Sequence, residues 1–169
     1  MQYLLLTLLF VCSTLSLSAQ VEWLTWEEAM QRNATEPRNI LVDVYTDWCG
    51  WCKKMDQQVF AAPEIAEHIS KNFYAVKLDA EQREDITYDG HVFSYDPGVG
   101  RRGVHALAVA LLDGRMSYPS VVYLDARRQR ITISPGFKPA KAYLNELRYI
   151  SEGHFRELSY KDYLDTLSK

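Results

Sequence analysis

Ile40-Leu41-Val42-Asp43-Val44-Tyr45-Thr46-Asp47-Trp48-Cys49-Gly50-Trp51-Cys52-Lys53 is the stretch on which the fold turns. Its first six residues are apolar and rich in β-branched side chains apart from Asp43, the pattern of a strand buried on both faces. That strand runs into Cys49-Gly50-Trp51-Cys52. Two thiols separated by two residues, where a buried strand feeds a helix, can form and break a disulfide with each other. The first lies near a helix N-terminus, where the macrodipole favours negative charge and so the thiolate. The thiolate is the nucleophile, so one arrangement supplies an activated sulfur and its resolving partner.

The rest of the chain sets the context for this pair. Its 169 residues suffice for one domain with a real core. A hydrophobic content of 47% with 24% charged residues is globular, well outside the disordered range. The net charge of −3 has both signs spread along the chain, so neither nucleic acid nor an anionic membrane surface is indicated as a partner. Residues 4–11 are almost unbroken apolar sequence, followed by small residues around Ser16, Ser18 and Ala19. That run is short of the roughly 20 residues a membrane span needs and suits a signal-peptide core, although no Lys or Arg precedes it. Residues 1–19 are therefore read as a signal peptide cleaved after Ala19, with retention as an anchor the lesser alternative. A lipid on Cys12 is not expected, because Phe10 and Val11 are large where small residues are needed.

Cleavage leaves Cys49 and Cys52 as the cysteines of an exported, periplasmic chain, expected in an oxidising compartment. A structural disulfide gains most by closing a long loop, and this one closes two intervening residues. The spacing favours redox chemistry over stapling. A structural zinc site needs four ligands, and neither a second C-x-x-C nor a paired His follows, so no metal is assigned. Lys53 stands where c-type haem attachment requires His.

Around the pair, Thr25 and Glu28 form a capping box that opens a helix over 26–35. The cysteine helix is expected over 49–60, and Pro63 opens another reaching Asn72. Residues 73–79 read as an alternating strand. Ile86-Thr87-Tyr88-Asp89-Gly90-His91-Val92-Phe93 carries Asp-Gly between β-prone arms, the signal of a tight hairpin, with Tyr88, Phe93 and Tyr95 gluing it to the domain. A glycine-rich loop over 96–103 follows, then a helix on Val104, Leu107, Ala108, Leu111 and Leu112, stopped at Gly114. Strands at 120–125 and 130–134 form an antiparallel hairpin. Pro139 opens a helix to about Ser151, and Ser159 with Asp162 caps a last one near 160–167. Residues 20–169 are thus one domain, with an insertion over about 81–103 and an extra C-terminal helix over about 159–168.

In this order the elements resemble the thioredoxin superfamily. The quoted strand and Trp48-Cys49-Gly50-Trp51-Cys52-Lys53 look like its active site almost position by position. Tyr118-Pro119-Ser120 before an apolar strand resembles its cis-proline loop, and Gly136 a glycine found after its last strand. The likeness covers about 21–151 and looks closest to exported bacterial thioredoxin-like proteins, including the soluble C-terminal domain of the DsbD transporter. It implies an α/β fold with a central mixed β-sheet flanked by helices, and an inserted hairpin and loop between the central strand and the cis-proline strand. It implies a protein-disulfide oxidoreductase acting on protein thiols and disulfides, with the Cys49/Cys52 pair as its redox centre and no metal or organic cofactor. Cys49 would be the attacking thiolate and Cys52 the more buried resolving thiol. Asp43 would accept a proton close to Cys52, the alternative being a strand-end carboxylate paired with a cation. Pro119 would be cis, with Tyr118 offering its backbone to substrate; an ordinary trans proline at a strand start is the alternative.

Trp48 and Trp51 beside a reactive sulfur suit docking of a flexible chain, though Trp48 packing beneath the loop is also open. Gly50 and Lys53 support the site, and for Lys53 a solvated helix cation is the favoured reading over a thiolate partner. Gly98-Val99-Gly100-Arg101-Arg102-Gly103 fits G-x-G-x-x-G, but it follows a polar hairpin arm instead of a buried strand, so nucleotide binding is not favoured over a basic loop or connector. His68, His91, His105 and His154 have no ligand spacing, and His105 reads as a packed or surface residue. The dipeptide Gly50-Trp51, where thioredoxin has Gly-Pro, leaves redox direction open. The thioredoxin-like strand and Asp43 favour a reductant kept reduced by a membrane-bound electron donor. Two other classes stand: a non-catalytic binding module with a closed disulfide, and a metal-handling C-x-x-C protein.

Overall fold

The computed structural model describes residues 20–168, so the expected signal peptide and Cys12 lie outside the described residues. After β1 (Trp23–Leu24), α1 (Trp26–Thr35) starts at the expected capping box: the Glu28 N–H donates to Thr25 Oγ1 at 3.2 Å, and the Thr25 N–H to Glu28 Oε2 at 2.9 Å. β2 (Asn39–Tyr45) follows, then α2 (Gly50–Met55), α3 (Pro63–Asn72) and β3 (Phe73–Asp79). The main sheet has the order β1-β3-β2 continued by β8 (Ser120–Leu124) and β9 (Arg130–Pro135), with β1, β3 and β2 parallel and β8 and β9 antiparallel to their neighbours. This is the mixed sheet of a thioredoxin fold. Among the described residues, no helix is long and apolar enough to cross a membrane.

Strand alternation divides the core into two layers. Ile40, Val42 and Val44 of β2 join Val76 and Leu78 of β3 against Trp26 and Ala29 of α1. Leu41 of β2, Ala75 of β3 and Tyr123 of β8 pack on the other face against Met55, Ile65, Ile69, Tyr143 and Leu147. Those last two belong to α5 (Ala140–Ser151), and the extra helix α6 (Tyr160–Leu167) adds Tyr163 to the same layer. β3 is buried on both faces except at Lys77 and Asp79, so it does not alternate as its sequence suggested.

The cysteine helix also departs from the expected single α-helix over 49–60. From Asp56 to Phe60 it widens into a π-helical turn, with the Ala61 N–H donating to Asp56 O at 3.0 Å. The wider turn lets the adjacent residues Val59 and Phe60 both be buried, and puts the Phe60 ring edge-on to Trp23 and Tyr143.

The insertion leaves from the end of β3, which lies beside the middle strand β2. It begins with the expected hairpin, β4 (Ile86–Tyr88) and β5 (His91–Phe93), whose turn residues Asp89 and Gly90 both have positive φ. Tyr88 and Phe93 pack against the core, with Tyr88 edge-on to Trp26 at 5.0 Å. Tyr95 does not glue the hairpin down. It lies in β6 (Tyr95–Asp96), pairs with β7 (Val104–His105), and its hydroxyl donates to the Arg102 carbonyl, bracing the glycine loop. Because Val104 and His105 pair as a strand, α4 is limited to Ala106–Leu111. The G-x-G-x-x-G run thus joins two antiparallel strands, a setting unlike a dinucleotide-binding βα turn. His105 is fully buried: Nδ1 accepts from the Leu107 N–H at 3.2 Å, which leaves Nε2 to donate to Glu84 O at 3.1 Å.

Candidate active site

β2 ends at Tyr45, and a short turn carries the chain to Trp48. Cys49 caps α2: its Sγ accepts the Cys52 N–H at 3.0 Å. Its sulfur thereby faces the helix N-terminus, where a thiolate is favoured. Cys49 and Cys52 form a disulfide, with Cα atoms 5.3 Å apart. The cysteines are 5% and 3% exposed, so both are covered, Cys52 slightly more. Gly50 lies in open space on the first turn, and Lys53 is exposed beside it.

The two tryptophans are held differently. Trp48 is 53% exposed, which rules out packing beneath the loop. Its Nε1 donates to Glu81 Oε1 at 2.8 Å, and its ring meets Tyr118 edge-on at 6.0 Å. Trp51 is 57% exposed and leans on Phe137, 5.5 Å away, with the Lys54 ammonium 4.7 Å from the indole centroid. Lys54, not Lys53, is the lysine that contacts this surface.

The Tyr118–Pro119 peptide is cis and leads into β8, with Pro119 O accepting from the Gly136 N–H at 2.8 Å. The edge-on contact of Trp48 with Tyr118 joins this loop to the residues before Cys49. Tyr118 is half-buried; burial, followed by the charges of Glu81 and Asp79, pushes its hydroxyl up to about 12, so it stays a proton donor.

Asp43 lies beneath, on the face of β2 shared by Leu41, which packs with Met55 of α2. It is 1% exposed. Lys77 is its register partner across β3, and Nζ donates to Asp43 Oδ2 at 2.6 Å. The same ammonium also donates to Asp56, four residues after Cys52. Burial raises the Asp43 carboxyl to about 6, against the opposing pull of Lys77. At Lys77 burial works against the charge, but Asp43 and Asp56 together outweigh it and the pKa rises. A surface cleft of about 420 Å³ lined by Trp23, Asp56, Phe60 and Lys77 opens the Lys77 and Asp56 side of this group to solvent, while Asp43 stays covered.

Trp48, Gly50, Trp51 and Lys53 thus surround the cysteine pair in sequence, Tyr118 meets Trp48 across the cis-proline loop, and Asp43 is buried on the face of β2 that carries Leu41. Lys77, Asp56 and Glu81 were not anticipated. For Lys77 a signal existed, since it interrupts the apolar run from Phe73 to Leu78, as Asp43 interrupts its own.

Comparison with known proteins bears on this arrangement. Residues 14–149 match the family model Thioredox_DsbH, described as a protein of unknown function, DUF255. Spermatogenesis-associated protein 20 of Homo sapiens is 34% identical over 67 residues, 39% of this chain but only 8% of that protein's length. The disulfide bond reductase DsbH of Chlamydia pneumoniae is 24% identical over 135 residues, covering 78% of this chain and 73% of its own. A solved structure of the DsbH oxidoreductase superposes with a TM-score of 0.58 at 17% identity, covering 80% of this chain and 87% of that one. With thioredoxin topology and a cysteine pair at the start of α2, the chain belongs to the DsbH-like thioredoxin family, DUF255.

Proposed function

We propose that this chain is an exported thiol–disulfide oxidoreductase that reduces or exchanges protein disulfides through Cys49 and Cys52. The observation that carries the reading is the Cys49–Cys52 disulfide at the start of α2, between two exposed indoles and beside the Tyr118–Pro119 loop. A disulfide used only for binding would not require a buried carboxylate near the helix that bears it.

In the reducing direction the Cys49 thiolate attacks one sulfur of a substrate disulfide. The substrate S–S bond breaks, one substrate thiolate leaves, and a mixed disulfide with Cys49 forms. Cys52 then loses its proton to Asp43, directly or through water, and attacks the Cys49 sulfur. The second substrate thiolate leaves and the Cys49–Cys52 disulfide closes, so two electrons pass from the pair to the substrate. An upstream dithiol, membrane-bound in this reading, returns them. The redox centre is the cysteine pair itself, with no metal or organic cofactor. Tyr118 offers its backbone to an extended substrate, and Trp48 and Trp51 flank it. Residues 1–19 direct export to a periplasmic compartment.

The test is substrate trapping. Cys49→Ser is expected to abolish reduction of insulin, and Cys52→Ser to accumulate mixed disulfides visible after thiol blocking. Undiminished activity in both variants rules the reading out and favours a binding module whose disulfide stays closed.

A further inference from the structure

The inserted loop and the cis-proline loop enclose a groove of about 580 Å³ immediately beside the cysteines. Trp48, Met116 and Tyr118 form its apolar wall, and Val99 with the loop backbone the other. That volume is in the range of ligand sites and is mostly bordered by carbon. The loop side is held in place. Tyr95 donates to the Arg102 carbonyl, and Gly103 is so close to Tyr95 that an added Cβ would lie 2.1 Å from the phenol oxygen. β6 and β7 pair at the base of the loop.

The charge of the groove is uneven. Arg101 and Arg102 stand on the loop, are exposed, and take part in no ion pair among the described residues. The Arg102 guanidinium lies 5.7 Å from the centroid of the Trp48 ring. Glu81 lines the groove too, with Oε1 accepting the Trp48 indole N–H, so the lining sets two guanidinium groups against one carboxylate. Two unpaired guanidinium groups over an apolar wall complement an anionic side chain next to a hydrophobic one.

We propose that this groove is a specificity subsite that takes an extended segment of a substrate protein, with an apolar side chain against Trp48 and Met116 and an adjacent Asp or Glu on Arg101 and Arg102. The inference rests on the oxidoreductase reading and adds the class of sequence flanking the substrate disulfide. The insertion would then select substrates, with the cysteines reacting with whatever it presents.

The experiment uses the mature, oxidised chain and short cysteine-free peptides that carry Phe-Asp or Phe-Lys in an otherwise identical polar sequence. Binding is followed by anisotropy of a labelled peptide. The Asp peptide is expected to bind about tenfold more tightly than the Lys peptide, the order of effect for exchanging an attractive for a repulsive contact with two exposed cations. Arg101→Gln/Arg102→Gln is expected to abolish the difference, and Arg101→Glu/Arg102→Glu to invert it. Equal affinities in the native chain, no saturable binding, or a preference that persists in both double variants would overturn the proposal. Insulin reduction by the native chain is measured in parallel: its absence defeats the oxidoreductase reading, whereas peptide selectivity is read without any redox step.

Discussion

Lys77 on β3 grips one oxygen of Asp43, Oδ2, at 2.6 Å, while Oδ1 of the same buried carboxylate has no hydrogen-bond partner. Half of the group is neutralised from the neighbouring strand and half is left able to take a proton. Removing a carboxylate from water costs more than one partner returns, which is why its pKa rises.

The first prediction concerns stability. The carboxyl ionises near 3.8 in an unfolded chain and at about 6 in the fold, so the fold binds this proton more tightly. The stability this contributes is full below the unfolded value and is lost as pH rises through about 6. At neutral pH the ionised carboxylate is therefore a liability, of up to about 3 kcal/mol from the size of the shift. Asp43→Asn is expected to stabilise the chain by about 1–3 kcal/mol at neutral pH, with the gain vanishing in acid. Urea denaturation at the two pH values measures it, and an equal gain at both contradicts the assignment.

A second prediction uses the same group in the reaction. If Asp43 takes the Cys52 proton, release of the mixed disulfide should accelerate through pH 6, as the carboxylate ionises. Asp43→Asn should lose that inflection and slow this step by about a hundredfold, the lower end of general-base effects. Stopped-flow resolution of a preformed Cys49 mixed disulfide separates this step from the first attack. A variant that keeps the inflection would assign the proton elsewhere.

Trp48 combines a hydrogen bond to Glu81 with an edge-on contact to Tyr118, yet its ring remains more than half exposed. Trp48→Ala is expected to cost about 1 kcal/mol of stability or less. Its larger effect should be on protein substrates, as a several-fold rise in KM for insulin with a smaller change in kcat. A change confined to kcat would mean that the indole acts on the cysteines instead of on docking.

Gly103 has φ of +78° and no space for a Cβ beside Tyr95. Gly103→Ala meets both backbone strain and a clash, and should cost about 1–3 kcal/mol. Tyr95→Ala in the same chain removes the clash but not the backbone strain, and also loses the hydrogen bond to the Arg102 carbonyl, so the double variant should be less destabilised than the sum of the two single substitutions. Full additivity of the two substitutions in thermal denaturation would show that they do not meet.

Much of this was legible from local chemistry. The Thr25–Glu28 cap, the Asp89-Gly90 turn and the cysteine pair are short-range signals, and each acts within a few residues of itself. The strand carrying Asp43 was readable because one charge interrupts an apolar run. What escaped depends on distant partners. Lys77 is meaningful only once β3 is laid against β2 in register, and Glu81 only once the chain after β3 returns to Trp48. The π-helical turn follows from the need to bury Val59 and Phe60 together, which no helical periodicity announces. Val104 and His105 fit a helical pattern, but pairing with Tyr95 and Asp96 took them into a strand.

The insertion begins and ends at the same place. The His105 N–H donates to Ala80 O at 2.7 Å, so the chain returns to within one hydrogen bond of where it departed. A segment whose two ends already touch is a cassette: it can lengthen, shorten or be exchanged between relatives without pulling on the sheet, because the gap it must bridge is fixed by the scaffold. Ile86, buried in the core below, and Tyr88 and Phe93, packed against it, tie the hairpin to the host, while the loop beyond them carries no such anchor until Val104. The outer loop can therefore be rewritten while the cysteine pair and Asp43 stay as they are, and a graft carrying residues 81–104 with its Ile86, Tyr88 and Phe93 anchors is the unit to move between thioredoxin scaffolds.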